Sequence, residues 1–336
     1  MNTIQKKDKK GFNMFLIIFC LLFIIFFSIF SETCIPAAAK AVNQFLTIII
    51  PSLFPFFVAS DLLKKSDFCK ILSRLTSKFT KVLFKISGES SLAIIIGYIC
   101  GYPAGAKITS DLYKEGKITY EDAVRLSVFT NNTGPLFLIG SVGVGMLGSA
   151  KDGITLLLIH ISSSVITGIV LNHIISSKNI NRTYCPILFD LSKENKLHAR
   201  KINFAEEISE SITSSIYTML PIGASVIFFA AFTEALLSLG TANIICSLFN
   251  IESFIPQVSA GIKSIFEITG GIAAFSECVS DIRILKIIIS TACGLAGISV
   301  HFQVLGIYGK AGIPASYYFF GKQSQAAIAV AIAACV

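Results

Sequence analysis

Long apolar runs separated by short polar segments organise the chain, and the first of them, Phe12 to Phe30, holds no charged residue. At about 1.5 Å of rise per residue, such a run spans the hydrocarbon of a bilayer. Lys6, Lys7, Lys9 and Lys10 precede it and Ala37, Ala38 and Ala39 follow it, flanks that also suit a secretory signal. The run is too long for an ordinary signal core, so a retained first helix is the favoured reading. Further apolar stretches lie at 42–63, 91–110, 123–148, 153–176, 208–238, 256–280, 284–308 and 314–336. This pattern predicts an all-α polytopic membrane protein.

Two polar segments fix an orientation. Residues 64–87 carry Lys64, Lys65, Lys70, Arg74, Lys78, Lys81 and Lys85, and residues 177–205 carry Lys178, Arg182, Lys193, Lys196, Arg200 and Lys201. The positive-inside rule places both, and the amino terminus, in the cytoplasm. An outward helix 12–30 and a returning helix 42–63 satisfy that. Three apolar stretches then separate the two basic segments, and an odd number of crossings cannot bring the chain back to the same side. The stretch Ser91 to Ser110 contains Gly97, Gly101, Pro103 and Gly105, which break a helix and permit a tight reversal. It is therefore assigned as a re-entrant hairpin.

The order of elements repeats. Pro51 and Pro55 in the second helix are answered by Pro221 in the helix 208–238. The glycine-rich hairpin is answered by Ile265 to Ala274, with Gly270 and Gly271, and the helix holding Thr130 to Pro135 by the one holding Gly294 to Gln303. The expected layout is a tail and first helix (1–41), one repeat (42–176), a basic linker (177–207) and a second repeat (208–336). Starting on opposite sides, the repeats would be inverted copies. Paired interrupted helices in inverted repeats are the pattern of a transporter with its solute site near the midplane. Within the first repeat, Phe68, Ile71, Leu72, Leu75, Phe79, Val82, Leu83 and Ile86 recur at helical spacing opposite the lysines. That segment should lie on the membrane surface and anchor the hairpin.

Composition agrees with the pattern and narrows the function. Hydrophobic residues make up 53% of the 336 and charged residues 14%, against roughly a quarter in soluble domains; the mean hydropathy is +0.73. The formal charge of +8 is spread between apolar stretches, so it reads as membrane orientation rather than nucleic-acid binding. The nine cysteines form no CxxC pair, and the four histidines (160, 173, 198, 301) form no HExxH motif. No GxSxG occurs either, so the expectation is a protein with no metal, no disulfide framework, no cofactor and no enzymatic role.

Helix breaks at membrane depth must satisfy their freed backbone groups within protein or on a wet cavity, so breaks mark candidate sites. The first runs from Gly97 to Lys107 and contains Tyr102 and Gly105. Its glycines expose amides, and Lys107 can pair with a carboxylate or instead snorkel to headgroups. The second is Phe129 to Pro135, where Thr130, Asn131, Asn132 and Thr133 offer donors and acceptors, for a solute or for neighbouring helices. The third, Glu267 to Gly271, includes Thr269, and the fourth, Gly297 to Gln303, includes Ser299, His301 and Gln303. Intramembrane ionisable groups are costly and usually functional. Glu267 can carry a proton, bind a cation, pair with Lys107 or be protonated and hydrogen-bonded; His301 can change charge near neutral pH. His160 and His173 read as packing residues or interface anchors, and Asp61 and Glu234 as solvated helix ends.

At these motifs the chain resembles sporulation integral membrane proteins of the YlbJ type, built from two nucleoside-recognition or Gate domains. The matching residues are Pro51 to Phe57, Gly101 to Lys107, Phe129 to Phe137, Glu267 to Gly271 and Gly297 to Val304. The resemblance implies a role in endospore formation, in the mother-cell-derived outer forespore membrane, moving dipicolinate (pyridine-2,6-dicarboxylate) toward the spore. Gate domains are also similar to parts of concentrative nucleoside transporters, which leaves a nucleoside or nucleobase carrier open. A homo-oligomer, or a non-transporting scaffold for sporulation membrane partners, is the remaining expectation.

Overall fold

The computed structural model describes residues 2–175 and 204–336, and the described residues form helices and no strands. The basic linker expected at 177–207 lies almost wholly outside them. Helix α1 (Asn2–Ile29) presents Met14, Ile17, Leu21 and Ile24 outward, as a lipid-facing helix must. It meets α2 (Ser31–Gln44) at 99°. The antiparallel return expected directly after the first helix is therefore corrected. Residues 31–41, read as a connection, are helical, and Phe30 alone is too short a link for a reversal.

From Ser31 the chain runs helically to Lys65. A π-helical turn at Phe45–Ile49 joins α2 to α3 (Ile50–Lys65) without leaving helical backbone angles. That turn sits just before Pro51 and Pro55, whose missing N–H groups disrupt regular i→i−4 bonding, and wider winding is the usual accommodation. Beside this rod lies α9 (Phe204–Ser238), with Pro221 inside it. The two run antiparallel: the Thr33 and Ser238 hydroxyls are 3.0 Å apart at one end, and Lys65 Nζ lies 2.9 Å from Glu207 at the other. Between the ends, a Cβ on Gly223 would stand 2.6 Å from the Phe45 ring, so glycine sets the spacing.

After each rod the same sequence of elements follows. In the first half α4 (Phe68–Phe79) winds into a π-turn at Thr80–Phe84, then meets the following helix at 95°. Its Ile71, Leu75, Phe79 and Val82 are exposed while Leu72 and Phe84 are buried, as fits a helix lying along a membrane surface. Helices α5 (Ser91–Cys100) and α6 (Ala104–Lys114) form the predicted hairpin. Gly97 and Gly105 face each other across it, and the Thr130 carbonyl presses on both: a Cβ would lie 2.2 Å from that oxygen at Gly97 and 2.0 Å at Gly105. Helix α7 (Tyr120–Ser127), capped by Thr119 and Asp122, ends in a non-helical stretch before a π-helix at Leu136–Met146. Helix α8 (Ala150–Ile174) closes the half.

The second half gives α10 (Thr241–Phe249) and a hairpin of α11 (Ile255–Phe266) and α12 (Ile268–Cys278). A broken helix of α13 (Ile282–Leu295) and α14 (Ile298–Gly309) follows, then α15 (Ala315–Ala333). Ala150–Ile174, Phe204–Ser238 and Ile282–Gly309 are each long and apolar enough to cross a membrane. Counting two bent helix pairs as spans brings the number to five among the described residues.

Candidate substrate site

All four predicted breaks meet at one cavity. Its volume is about 120 Å³ and its wall includes Gly101 and Tyr102, Thr133 and Gly134, Glu267 to Thr269, and Ser299 with Gln303. Within each half the two breaks cross through a glycine. A Cβ on Gly101 would lie 2.6 Å from the Gly134 nitrogen, and one on Gly297 would lie 3.2 Å from the Phe266 carbonyl. Gly101 also has φ +80, a conformation glycine adopts without strain. The Tyr102 N–H donates to the Asn132 carbonyl at 2.6 Å, so the first crossing is hydrogen-bonded as well as close-packed.

Part of the polar wall comes from helix starts. Leu136, Ile268 and Thr269, and Ser299 and Val300 lie in the first turns of the 136–146 helix, α12 and α14. Free N–H groups there carry partial positive charge. Glu267 takes up two of them: one carboxylate oxygen accepts the Thr269 N–H at 3.0 Å and the other the Gly270 N–H at 2.7 Å. Glu267 is thus a helix cap, and no ion pair to Lys107 forms. Thr133 donates from its hydroxyl to Tyr102 at 3.2 Å, and the Gln303 amide donates to Ser299 at 3.3 Å. Phe56, Phe137, Ile49, Ile99, Ile222 and Val226 supply apolar wall.

Of the sequence-predicted residues, the cavity gathers Tyr102, Thr133, Glu267, Thr269, Ser299 and Gln303. The others lie elsewhere. Gly105 is a packing contact, and the Thr130 hydroxyl is spent on the Leu126 carbonyl at 2.8 Å. Lys107 lines a neighbouring chamber, paired with Asp111 at 3.3 Å. His301 is turned toward another face, with its ring nitrogen 2.8 Å from the Tyr318 hydroxyl. Asn131 and Asn132 are buried behind the wall: Asn131 donates to the Tyr308 hydroxyl at 2.7 Å and Asn132 to the Phe129 carbonyl at 2.8 Å. Asp61 and Glu234, expected in solvent, are not free. Asp61 is buried and accepts from Ser211 at 2.8 Å, and Glu234 pairs with Lys263 at 2.8 Å.

Behind the second break stands a polar layer that the motif reading missed. Lys322 of α15, 2% exposed, donates to the Asn131 carbonyl at 3.1 Å and to Gln325 at 2.9 Å. Gln325 in turn donates to the Asn132 side chain at 3.1 Å, and His160 accepts the Thr133 N–H at 2.9 Å. No carboxylate pairs with Lys322 among the described residues. The available signal was a lysine and a glutamine three residues apart inside the last apolar stretch, the rarity that marks intramembrane function.

Residues 46–150, from the first rod to the start of α8, match the family described as Gate, nucleoside recognition. Over 307 residues the chain is 28% identical to the sporulation integral membrane protein YlbJ of Bacillus subtilis (strain 168), an alignment covering 86% of this chain and 74% of that relative. No solved structure matches it. The chain is an integral membrane protein whose residues 46–150 match the nucleoside-recognition Gate family, and it is similar to sporulation integral membrane protein YlbJ over most of its length.

Proposed function

We propose that the protein is a transporter of endospore formation that carries dipicolinate from the mother cell across the outer forespore membrane. The observation that carries this reading is the meeting of four interrupted helices, two from each half, at one cavity. Antiparallel packing of the two equivalent rods supports an inverted arrangement of the halves, with the site between them. The starts of the 136–146 helix and α14 favour an anion, that of α12 being capped by Glu267, and the aromatic and aliphatic wall favours a flat apolar ring between its charged ends. An inside-negative potential assists exit of a dianion by about 4.6 kcal/mol per 100 mV, so no sodium coupling is required.

The nucleoside reading rests on the Gate match together with the hydroxyls and the Gln303 amide on the cavity wall, which also suit sugar hydroxyls and base edges. Purified protein in liposomes, assayed for efflux of dipicolinate and of uridine with and without a sodium gradient, decides between them. Dipicolinate flux without sodium is the expected result. Uridine flux alone would replace the reading, strict sodium dependence would remove its energetic part, and absence of any flux would leave a scaffold.

A further inference from the structure

Beyond a chamber at its Phe204 end lined by Asp61, Lys65, Glu210 and Tyr217, α9 runs past three further cavities in a row. A chamber of about 310 Å³ is lined by Tyr217, Pro221 and Ile222 of that helix, the central cavity by Ile222 and Val226, and a third by Ala230, Thr233 and Glu234. Each adjoins the next through shared wall residues: Ile222 and Gln303 between the first two, Glu267 between the second and third. From Tyr217 to Glu234 the row follows about 25 Å of helix, most of a bilayer's hydrocarbon.

The two outer chambers differ in charge. The third holds two ammonium groups and two carboxylates, Lys40 and Lys263 against Glu234 and Glu267, and balances. The first holds Lys107, Lys114 and Lys310 against Asp111 alone. Asp111 pairs with Lys107, and neither Lys114 nor Lys310 forms an ion pair among the described residues. Two ammonium groups are left facing one concave space, where low-dielectric walls concentrate their field on an entering anion. This chamber lies toward the Phe204 end of α9, near Lys65 and the end of the basic linker, the end that the positive-inside rule assigns to the cytoplasm.

We propose that the chamber of Lys107, Lys114 and Lys310 is an anion-capture site for small dicarboxylates, in series with the central cavity, and that the solute passes between Ile222 and Gln303. The proposal rests on the transport reading for its purpose, but capture is a binding event and is testable without flux. Lys107 is held by Asp111, so Lys114 and Lys310 supply the free charge. The balanced far chamber then offers the anion no comparable hold, which favours release there.

The test uses the full chain, with dipicolinate as the probe, in two measurements. In liposomes, the paired change Lys114→Gln and Lys310→Gln should raise KM roughly tenfold at low ionic strength for solute offered on the Lys114 side, with kcat within about twofold. The difference should vanish in about 0.5 M salt, and Lys114→Arg with Lys310→Arg should restore the original KM. Neutralising the exposed Lys78 and Lys81 controls for general surface charge and should leave KM unchanged. An unchanged KM in the glutamine pair, or an arginine pair as impaired as the glutamine pair, overturns the capture site. Calorimetric binding of dipicolinate to the detergent-solubilised protein separates the two ideas. Binding that the glutamine pair weakens, without flux in the wild type, ends the transport reading and leaves the capture site standing; binding that the pair does not weaken ends the capture site.

Discussion

Lys322 reaches the backbone carbonyl of Asn131, 191 residues earlier in the chain, at 3.1 Å, and its side-chain nitrogen is buried there without a carboxylate partner among the described residues. Burying such a group is costly, so packing does not account for it. Replacing it with an unbranched apolar chain of similar length removes that cost but frees the non-helical stretch that carries Thr133 into the cavity. Lys322→Met should therefore keep or raise the melting temperature while cutting solute flux about tenfold or more. A melting scan beside a liposome flux assay checks both, and normal flux would reduce Lys322 to a packing residue.

Gly105 gives a stability test with a built-in contrast. A Cβ there would stand 2.0 Å from the Thr130 carbonyl, backbone that cannot step aside, whereas nothing lies within 4 Å of one on Gly306. Gly105→Ala should cost about 3 kcal/mol or prevent folding. Gly306→Ala, inside α14, should be neutral or stabilising by about 0.5–1 kcal/mol. Thermal unfolding of the two variants by circular dichroism measures the difference, and equal melting temperatures would contradict the close crossing.

Glu267 acts on stability and on binding in opposite senses. Its two oxygens cap α12, and an amide offers only one acceptor, so Glu267→Gln should lose about 1–2 kcal/mol of stability. The same change removes a negative charge from the cavity wall and should tighten dipicolinate binding several-fold. Calorimetry on the variant reads the affinity; weaker binding would assign Glu267 to solute contact.

The antiparallel rods can be joined chemically. Thr33 and Ser238 carry hydroxyls 3.0 Å apart, so Thr33→Cys with Ser238→Cys should form a disulfide under mild oxidation, seen as altered mobility on a denaturing gel and confirmed by mass spectrometry. Absence of the cross-link would remove the support for an inverted arrangement. Flux that survives the cross-link would show that these ends do not separate during transport.

Much of the site was written locally. Gly101, Pro103, Gly134, Pro135, Gly270 and Gly297 interrupt apolar runs, and interruption is a property of a few consecutive residues, so the hairpins, the broken helices and their repeated order were legible. Hydropathy likewise determined the solvent, because a run such as Phe12 to Phe30 has no other low-energy place than lipid. What packing alone decided is which side of each break faces the cavity. Asn131 and Asn132 are the most polar residues of their motif, yet they turn toward Tyr308, Gln325 and Phe129, while the neighbouring Thr133 lines the wall. Lys107 shares a motif with Tyr102 but, one helical turn into α6, falls in another chamber beside Asp111. The placing of Asn131 and Asn132 depends on partners more than a hundred residues away, Tyr308, Lys322 and Gln325, and local sequence carries no information about the rotation that distant helices impose.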